Sequence, residues 1–374
     1  MIKETSSTLK IAIQQRVLPE YRAAFFVTLA GLCQGGLSLF AGQPLPGEGI
    51  TSASKLEAAS YTLAVNRYFF STDSPLFLCW QSNVLQWLEH CQPEALIVEA
   101  NPRILSTRRA VRWMHAHKKP VLGWGLGAPG LGGPLAGLRR LERQSFLGAL
   151  DGWIAYSQRG AEQYRQLGLD ARRIFVASNA VAARPTVQPQ PRPQAFSGQP
   201  TLLFVGRLQR RKRLDLLLQA CASLPDKPRL VIVGDGPDRG EIESQAQAVF
   251  PAAEFAGAQH GAALAAYFQA ADLFVLPGTG GLAVQQAMAH GLPVVVAQGD
   301  GTQEDLVRPE NGWLIPADNL AALTATLRNA LDDPVGLRRM GNASYRIVAE
   351  EVNLEHMAEV FIASVRTVLA LGLV

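Results

Sequence analysis

Apolar positions along this chain gather in short runs of four to seven residues, separated by stretches of helical spacing. Leu9–Gln14 (LKIAIQ), Gly36–Ala41, Leu76–Trp80, Ala95–Glu99 (ALIVE), Pro120–Gly123, Asp151–Ser157 and Ile174–Ala177 read as strands in the first half. Between them Ala23–Cys33, Gln81–Cys91, Ser106–Lys118, Leu138–Leu150 and Gln158–Gly168 read as helices, and Gln15–Arg22 as a polar loop. Little periodicity is visible from Pro44 to about Arg67. Strands alternating with helices predict a parallel, doubly wound sheet. Ala182–Pro200 breaks that rhythm: it is rich in Pro and Gln and nearly free of aliphatic residues, which predicts an extended, stiff linker.

The alternation then restarts. Strands are expected at Thr201–Val205, Leu230–Val233, Glu254–Phe255, Leu273–Leu276, Val294–Ala297 and Trp313–Ile315. Helices close the chain at Asn319–Leu331, Leu337–Glu350 and Asn353–Leu371. The expectation is therefore a first Rossmann-like domain over 1–182, a linker over 183–200, a second Rossmann-like domain over 201–352, and a terminal helix over 353–374 that packs back on the first. Two such domains are expected to leave a cleft lined by strand carboxyl ends, where ligands bind in sheets of this kind.

Bulk numbers narrow the reading. The 374 residues exceed one comfortable core, and the net charge of +4 favours anionic ligands without arguing for nucleic acid. No apolar run reaches the ~20 residues of a membrane span. The N-terminus lacks an apolar leader, and the four cysteines are scattered. Both point to a reduced, cytoplasmic protein.

The stretch Thr201–Asp215 concentrates the chemistry. A buried strand ends at Gly206, and Arg207, Arg210, Arg211, Lys212 and Arg213 crowd the turn into the next helix. Free amides and the helix dipole favour an anion there, and several cations suit a diphosphate; a solvated basic turn fits the same residues. Gly234-Asp235-Gly236 follows a second strand, with Glu254 twenty places on, and approximates a dinucleotide fingerprint whose third glycine is one place late. The turn can border a ribose or base, or simply join strand to helix. Gly278, Gly280 and Gly281 follow a third strand, with a helix starting at Leu282, and Glu304 follows a fourth. In the first domain, Arg16, Glu20 and Arg22 lie in the loop after the first strand, and Glu99, Asn101 and Arg103 at the end of another; each set suits an acceptor or local pairing. His115 and His117 fit no zinc pattern, and no Asp-x-Asp stands ready for a metal diphosphate. The basic run Arg103–Lys119 suits either a solvated helix face or anionic headgroups.

Taken in order, FVGRLQRRKRLDLLLQA, VIVGDGPDRGEIE, FAGA, YFQAADLFVLPG, GGLAVQQAMAHGLPVVVA and NGWLIP resemble the donor-binding half of glycosyltransferase family 4. Those are retaining enzymes of GT-B fold that use nucleotide-diphosphate sugars. The first half resembles, more loosely, transferases of bacterial surface polysaccharides. The resemblance implies that Arg207 and Lys212 grip the diphosphate and that amides at Gly281 and Leu282 face it. It implies that Gly257 and Ala258 line the base. Where the family carries two glutamates this chain has Gly278 and Gln286; the first touches the donor sugar in the family, the second the ribose. A polar group is expected in the first domain's glycine-rich loop, where this chain has Leu126. The implied function is sugar transfer from a UDP- or GDP-type donor to a sugar, lipid-linked or small-molecule acceptor. It implies no cofactor and no metal, with peripheral membrane contact on the cytoplasmic face open. A degenerate nucleotide-sugar binder, or an NAD-dependent oxidoreductase resting on Gly234, are the alternatives.

Overall fold

The structure is a computed structural model that describes residues 9–53, 56, 59–72, 74–133, 135–280 and 282–373. The chain divides into two compact units: residues 1–179 with 354–374, and residues 180–353. In the first, β1 (Ile11–Val17), β2 (Leu37–Gly42), β3 (Ser60–Ala64), β6 (Ala95–Glu99), β7 (Val121–Gly125), β8 (Gly152–Ala155) and β9 (Ile174–Val176) form a parallel sheet in the order β3-β2-β1-β6-β7-β8-β9. β4 (Asn66–Phe69) and β5 (Leu78–Gln81) make a separate antiparallel pair. The central strands are buried on both faces, which is why they read as unbroken apolar runs.

β1 runs three residues beyond its expected end because its polar residues are satisfied inside the fold. The buried Gln14 donates to Gln81 Oε1 at 2.9 Å, and Gln81 donates to the Gln15 carbonyl at 2.9 Å. Among the described residues Gln14 Oε1 has no hydrogen-bond partner, but the amide donors of both glutamines are taken, and such pairing lets polar side chains sit in a core strand. β3 and β4 were not expected at all. β3 is a largely exposed edge strand, and the β4 residue Asn66 is held by hydrogen bonds to the carbonyls of Arg16 and Gln43, so neither strand leaves an apolar signature.

The second unit holds β10 (Thr201–Val205), β11 (Arg229–Val233), β12 (Glu254–Gly257), β13 (Leu273–Leu276), β14 (Val294–Ala297) and β15 (Gly312–Ile315). They pair in parallel in the order β12-β11-β10-β13-β14-β15. This is the Rossmann order, with the direction of winding reversing between β10 and β13. Thr302–Leu306, which carries Glu304, is a short helix.

The units divide at 179/180 and 353/354, so the proline-rich stretch belongs to the second unit and is not a tether between domains. Its Arg192 guanidinium explains why. It donates to the carbonyls of Phe268 (3.0 Å), Ala271 (3.1 Å), His290 (3.2 Å) and Gly291 (2.9 Å), at the ends of helices Gly261–Ala270 and Leu282–Ala289. Such terminal carbonyls have no partner within their own helices. Arg338 fixes the same stretch by donating to the Pro193 carbonyl at 2.8 Å. The terminal helix Leu354–Leu371 belongs to the first unit, where Phe361 meets Phe25 and Trp124 with ring centroids 5.0 and 4.9 Å apart. No helix among the described residues is long and apolar enough to cross a membrane.

Arg192→Ala removes the donor from four carbonyls at once. It is expected to destabilise the second unit by about 2–4 kcal/mol, read as a lower urea midpoint at unchanged slope. An unchanged midpoint would show that the stretch is held by other contacts.

Candidate functional site

In the second unit, the reversal of winding brings two turns together after β10 and β13. Gly206 ends β10; Arg207 and Leu208 follow, then a single 3-10 turn, Arg210–Lys212, and Arg213 in the left-handed region at φ +54° before helix Leu214–Ser223. Four of the five cations of this turn differ sharply in their partners. Arg210 pairs with Glu241 at 2.9 Å, and Arg213 with Asp215 at 2.9 Å and with Asp318. Arg211 donates to Gln209 Oε1 at 3.0 Å. Lys212 is 9% exposed, and its Nζ donates to the Thr279 carbonyl at 2.8 Å. Among the described residues it faces no carboxylate. Burial first, and then Arg211, pull its ammonium down to about 8. The side chain of Arg207 is exposed on the same turn.

The turn after β13 is clamped on the basic turn. Thr279 N–H donates to the Arg211 carbonyl at 2.9 Å, reciprocating the lysine bond. A Cβ on Gly278 would land on the Arg211 carbonyl and the Lys212 backbone, and one on Gly280 (φ +114°) on the Lys212 ammonium. Gly278 is therefore a close-approach residue and not merely a missing glutamate. That contact was invisible in the sequence. Gly280 and Leu282 stand beside it, Leu282 opening helix Leu282–Ala289, while Gly281 lies outside the described residues.

Gly234 and Gly236 have a similar explanation. At φ +142°, a Cβ on Gly234 would strike the Gly206 carbonyl, and one on Gly236 would lie 2.6 Å from the Leu208 nitrogen. The Leu208 N–H donates to the Asp235 carbonyl at 2.9 Å. These glycines let two backbone turns touch, and the dinucleotide reading of the motif loses its support. The Asp235 carboxylate is exposed and accepts from the Gly236 N–H at 2.7 Å. Gly257 accepts from the Gly234 N–H at 2.8 Å, and the exposed Ala258 follows it. Gln286 is half-buried on the helix after the glycine turn, and Glu304 half-buried on Thr302–Leu306.

In the first unit, Glu99, Asn101, Arg103 and Leu126 line one cavity of about 730 Å³. Trp124 and Tyr156 line it too, as do Arg139 and Arg143 of helix Ala136–Leu147, none of which the motifs had singled out. Arg16 and Glu20 are not in its wall. Arg16 lies on β1 and not in a loop; it pairs with Glu48 at 3.0 Å and packs over Tyr68 and Phe77. Glu20 is exposed in a 3-10 turn. Arg22 is buried, with its guanidinium 4.5 Å from the Trp124 ring and 5.4 Å from that of Tyr156. The Glu99 carboxylate accepts the Arg16 N–H at 2.6 Å; burial pushes its pKa up, against that bond and the charges of Arg16 and Arg22. His115 bonds Asp151 at 2.8 Å, a pairing within the fold.

Residues 188–347 match the family described as glycosyl transferases group 1. Over 156 residues the chain is 40% identical to the GDP-mannose-dependent alpha-mannosyltransferase of Mycolicibacterium smegmatis, covering 40% of this chain and 39% of that protein. It thus spans about two fifths of that relative's length. Among solved structures, Anabaena Alr3699/HepE in complex with UDP superposes with a TM-score of 0.73 at 16% identity, over 96% of this chain and 100% of that one. The sucrose-phosphate synthase of Thermosynechococcus elongatus does so with a TM-score of 0.72 at 19% identity, over 97% and 100%. These likenesses show the fold: two Rossmann-like units of the GT-B type.

Gly278→Glu forces the glycine turn away from Lys212 and brings a carboxylate near it. The lysine amine, followed by pH-dependent labelling, is expected to titrate near 8 in the parent and well above that in the variant. Equal titration in both would contradict the packing described for this turn.

Proposed function

We propose that this chain is a glycosyltransferase that moves a sugar, with retention, from a GDP- or UDP-type nucleotide sugar to a hydroxyl acceptor. Its second unit receives the nucleotide diphosphate. The observation that carries this reading is Lys212: a buried ammonium, facing a carbonyl where an anion would serve better, at the point where the winding of the sheet reverses. Similarity to a mannosyltransferase named for GDP-mannose favours a guanosine donor.

In the reaction, the bond between the sugar's anomeric carbon and the diphosphate oxygen breaks as the acceptor oxygen bonds to that carbon. The acceptor's proton passes to the departing phosphate, so the chain need supply no base. Negative charge grows on the diphosphate. Lys212, Arg207 and amides near Gly280 and Leu282 stabilise it, the preorganised electrostatic role that dominates such catalysis. Gln286 hydrogen-bonds the ribose through its amide. No metal takes part in this scheme, and the protein works at the cytoplasmic face of a membrane or in the cytoplasm. Gly278 favours a second reading, a binder without turnover, because the clamped turn leaves no room for the carboxylate that touches the donor sugar in the family.

Calorimetric titration with GDP and UDP tests the binding step. Lys212→Ala is expected to weaken the preferred nucleotide about tenfold or more, and Arg207→Ala several-fold, with the fold kept. The bound diphosphate holds the lysine charged. Affinity is therefore flat below pH 8 and falls as the pH rises through about 8, where the free amine loses its proton. Lys212→Arg is expected to remove that fall. Variants that bind like the parent would refute the site; tight binding with no release of nucleotide from any of a panel of nucleotide sugars would favour the binder.

A further inference from the structure

The first unit's cavity carries a composition that a sugar acceptor alone does not explain. Its lining includes the polar Glu99 and Tyr156. It also has an apolar wall: Leu76, Leu126, Leu135 and Leu138 line it while remaining 49%, 43%, 47% and 66% exposed. One turn along from Leu138, Leu141 is 65% exposed on the same helix. Contiguous exposed leucines beside a cavity mark a surface that apolar material covers.

Set into this apolar wall are three guanidiniums, Arg103, Arg139 and Arg143. Arg139 and Arg143 are four residues apart on one helix face. The acid that stands among them, Glu142, is taken by Arg108 at 3.0 Å. Arg143 donates to the Pro129 carbonyl at 2.6 Å, a neutral acceptor. Burial first, then Arg139, and more weakly Arg103, draw its pKa down against the opposing pull of Tyr164 and Glu142, as expected where like charges gather.

A free sugar would meet hydroxyl-bonding groups and not leucines, and inorganic phosphate has no use for an apolar wall. We propose that the acceptor hydroxyl of this enzyme is carried on a lipid phosphate, whose anionic head is held by Arg103, Arg139 and Arg143 and whose chain lies along Leu126, Leu135 and Leu138. This inference rests on the transferase reading for its role, though the binding site can be tested without it.

Farnesyl phosphate, titrated as a monomer into the full chain and followed by intrinsic tryptophan fluorescence, is the probe. Saturable binding is expected, about tenfold or more tighter than for farnesol or for inorganic phosphate. Arg139→Gln and Arg143→Gln are each expected to weaken it about fivefold or more, and Leu138→Asn likewise, with GDP affinity unchanged in all three. Equal affinity for farnesol, or binding indifferent to all three substitutions, would overturn the proposal. So would adsorption to phosphatidylglycerol vesicles with no saturable binding of the monomer. If farnesyl phosphate binds as expected while the parent binds neither GDP nor UDP, the lipid site stands and the transferase reading falls.

Discussion

The candidate site of the second unit turns on one contact, the bond from the Lys212 ammonium to the Thr279 carbonyl, and on the glycines that make it possible. A lysine that is 9% exposed must find an oxygen or lose its proton. Here it does some of both: it takes a backbone carbonyl, and burial brings its pKa to about 8. The carbonyl can approach only because Gly278 and Gly280 offer no side chain. An anion that displaced it would gain a charged partner already desolvated and held in place, the condition under which electrostatic stabilisation is strongest.

The same economy of backbone contact recurs nearby. Gly234 and Gly236 bring the β11 turn against Gly206 and Leu208, so the three turns at the carboxyl ends of β10, β11 and β13 brace one another through main-chain atoms. Arg210 and Arg213 are spent on carboxylates, which leaves the lysine chemically distinct from them. In the first unit the division of labour is different. Arg16 and Arg22 are consumed by Glu48 and by aromatic rings, while Arg103, Arg139 and Arg143 face an apolar cavity.

Much of this was legible in the chain. Ala95–Glu99, Leu273–Leu276 and Val294–Ala297 are continuous apolar runs, and they are the strands of a sheet covered on both faces. Lys212 and the glycine turns stood out because cations and glycines after strands have few uses. Three things were hidden. β3 and β4 are held by hydrogen bonds and lie exposed, so no periodicity marks them. The proline-rich stretch has the look of a tether because its arginine anchor, Arg192, reaches carbonyls some 80 to 100 residues away in sequence. Gly278 looked like a loss, because a close approach between two turns leaves no trace in either one. Helix Ala136–Leu147 shows helical periodicity in the sequence, and its GLRRLERQ run, exposed leucines interspersed with arginines, is the signal there for the cavity.

The central claim is that Lys212 waits on a carbonyl for a diphosphate. A crystal structure of the protein with bound GDP tests it most directly. The account predicts the two phosphates within hydrogen-bond distance of Lys212 Nζ, with the Thr279 carbonyl no longer its partner. A diphosphate bound elsewhere, with Lys212 still donating to Thr279, would contradict it.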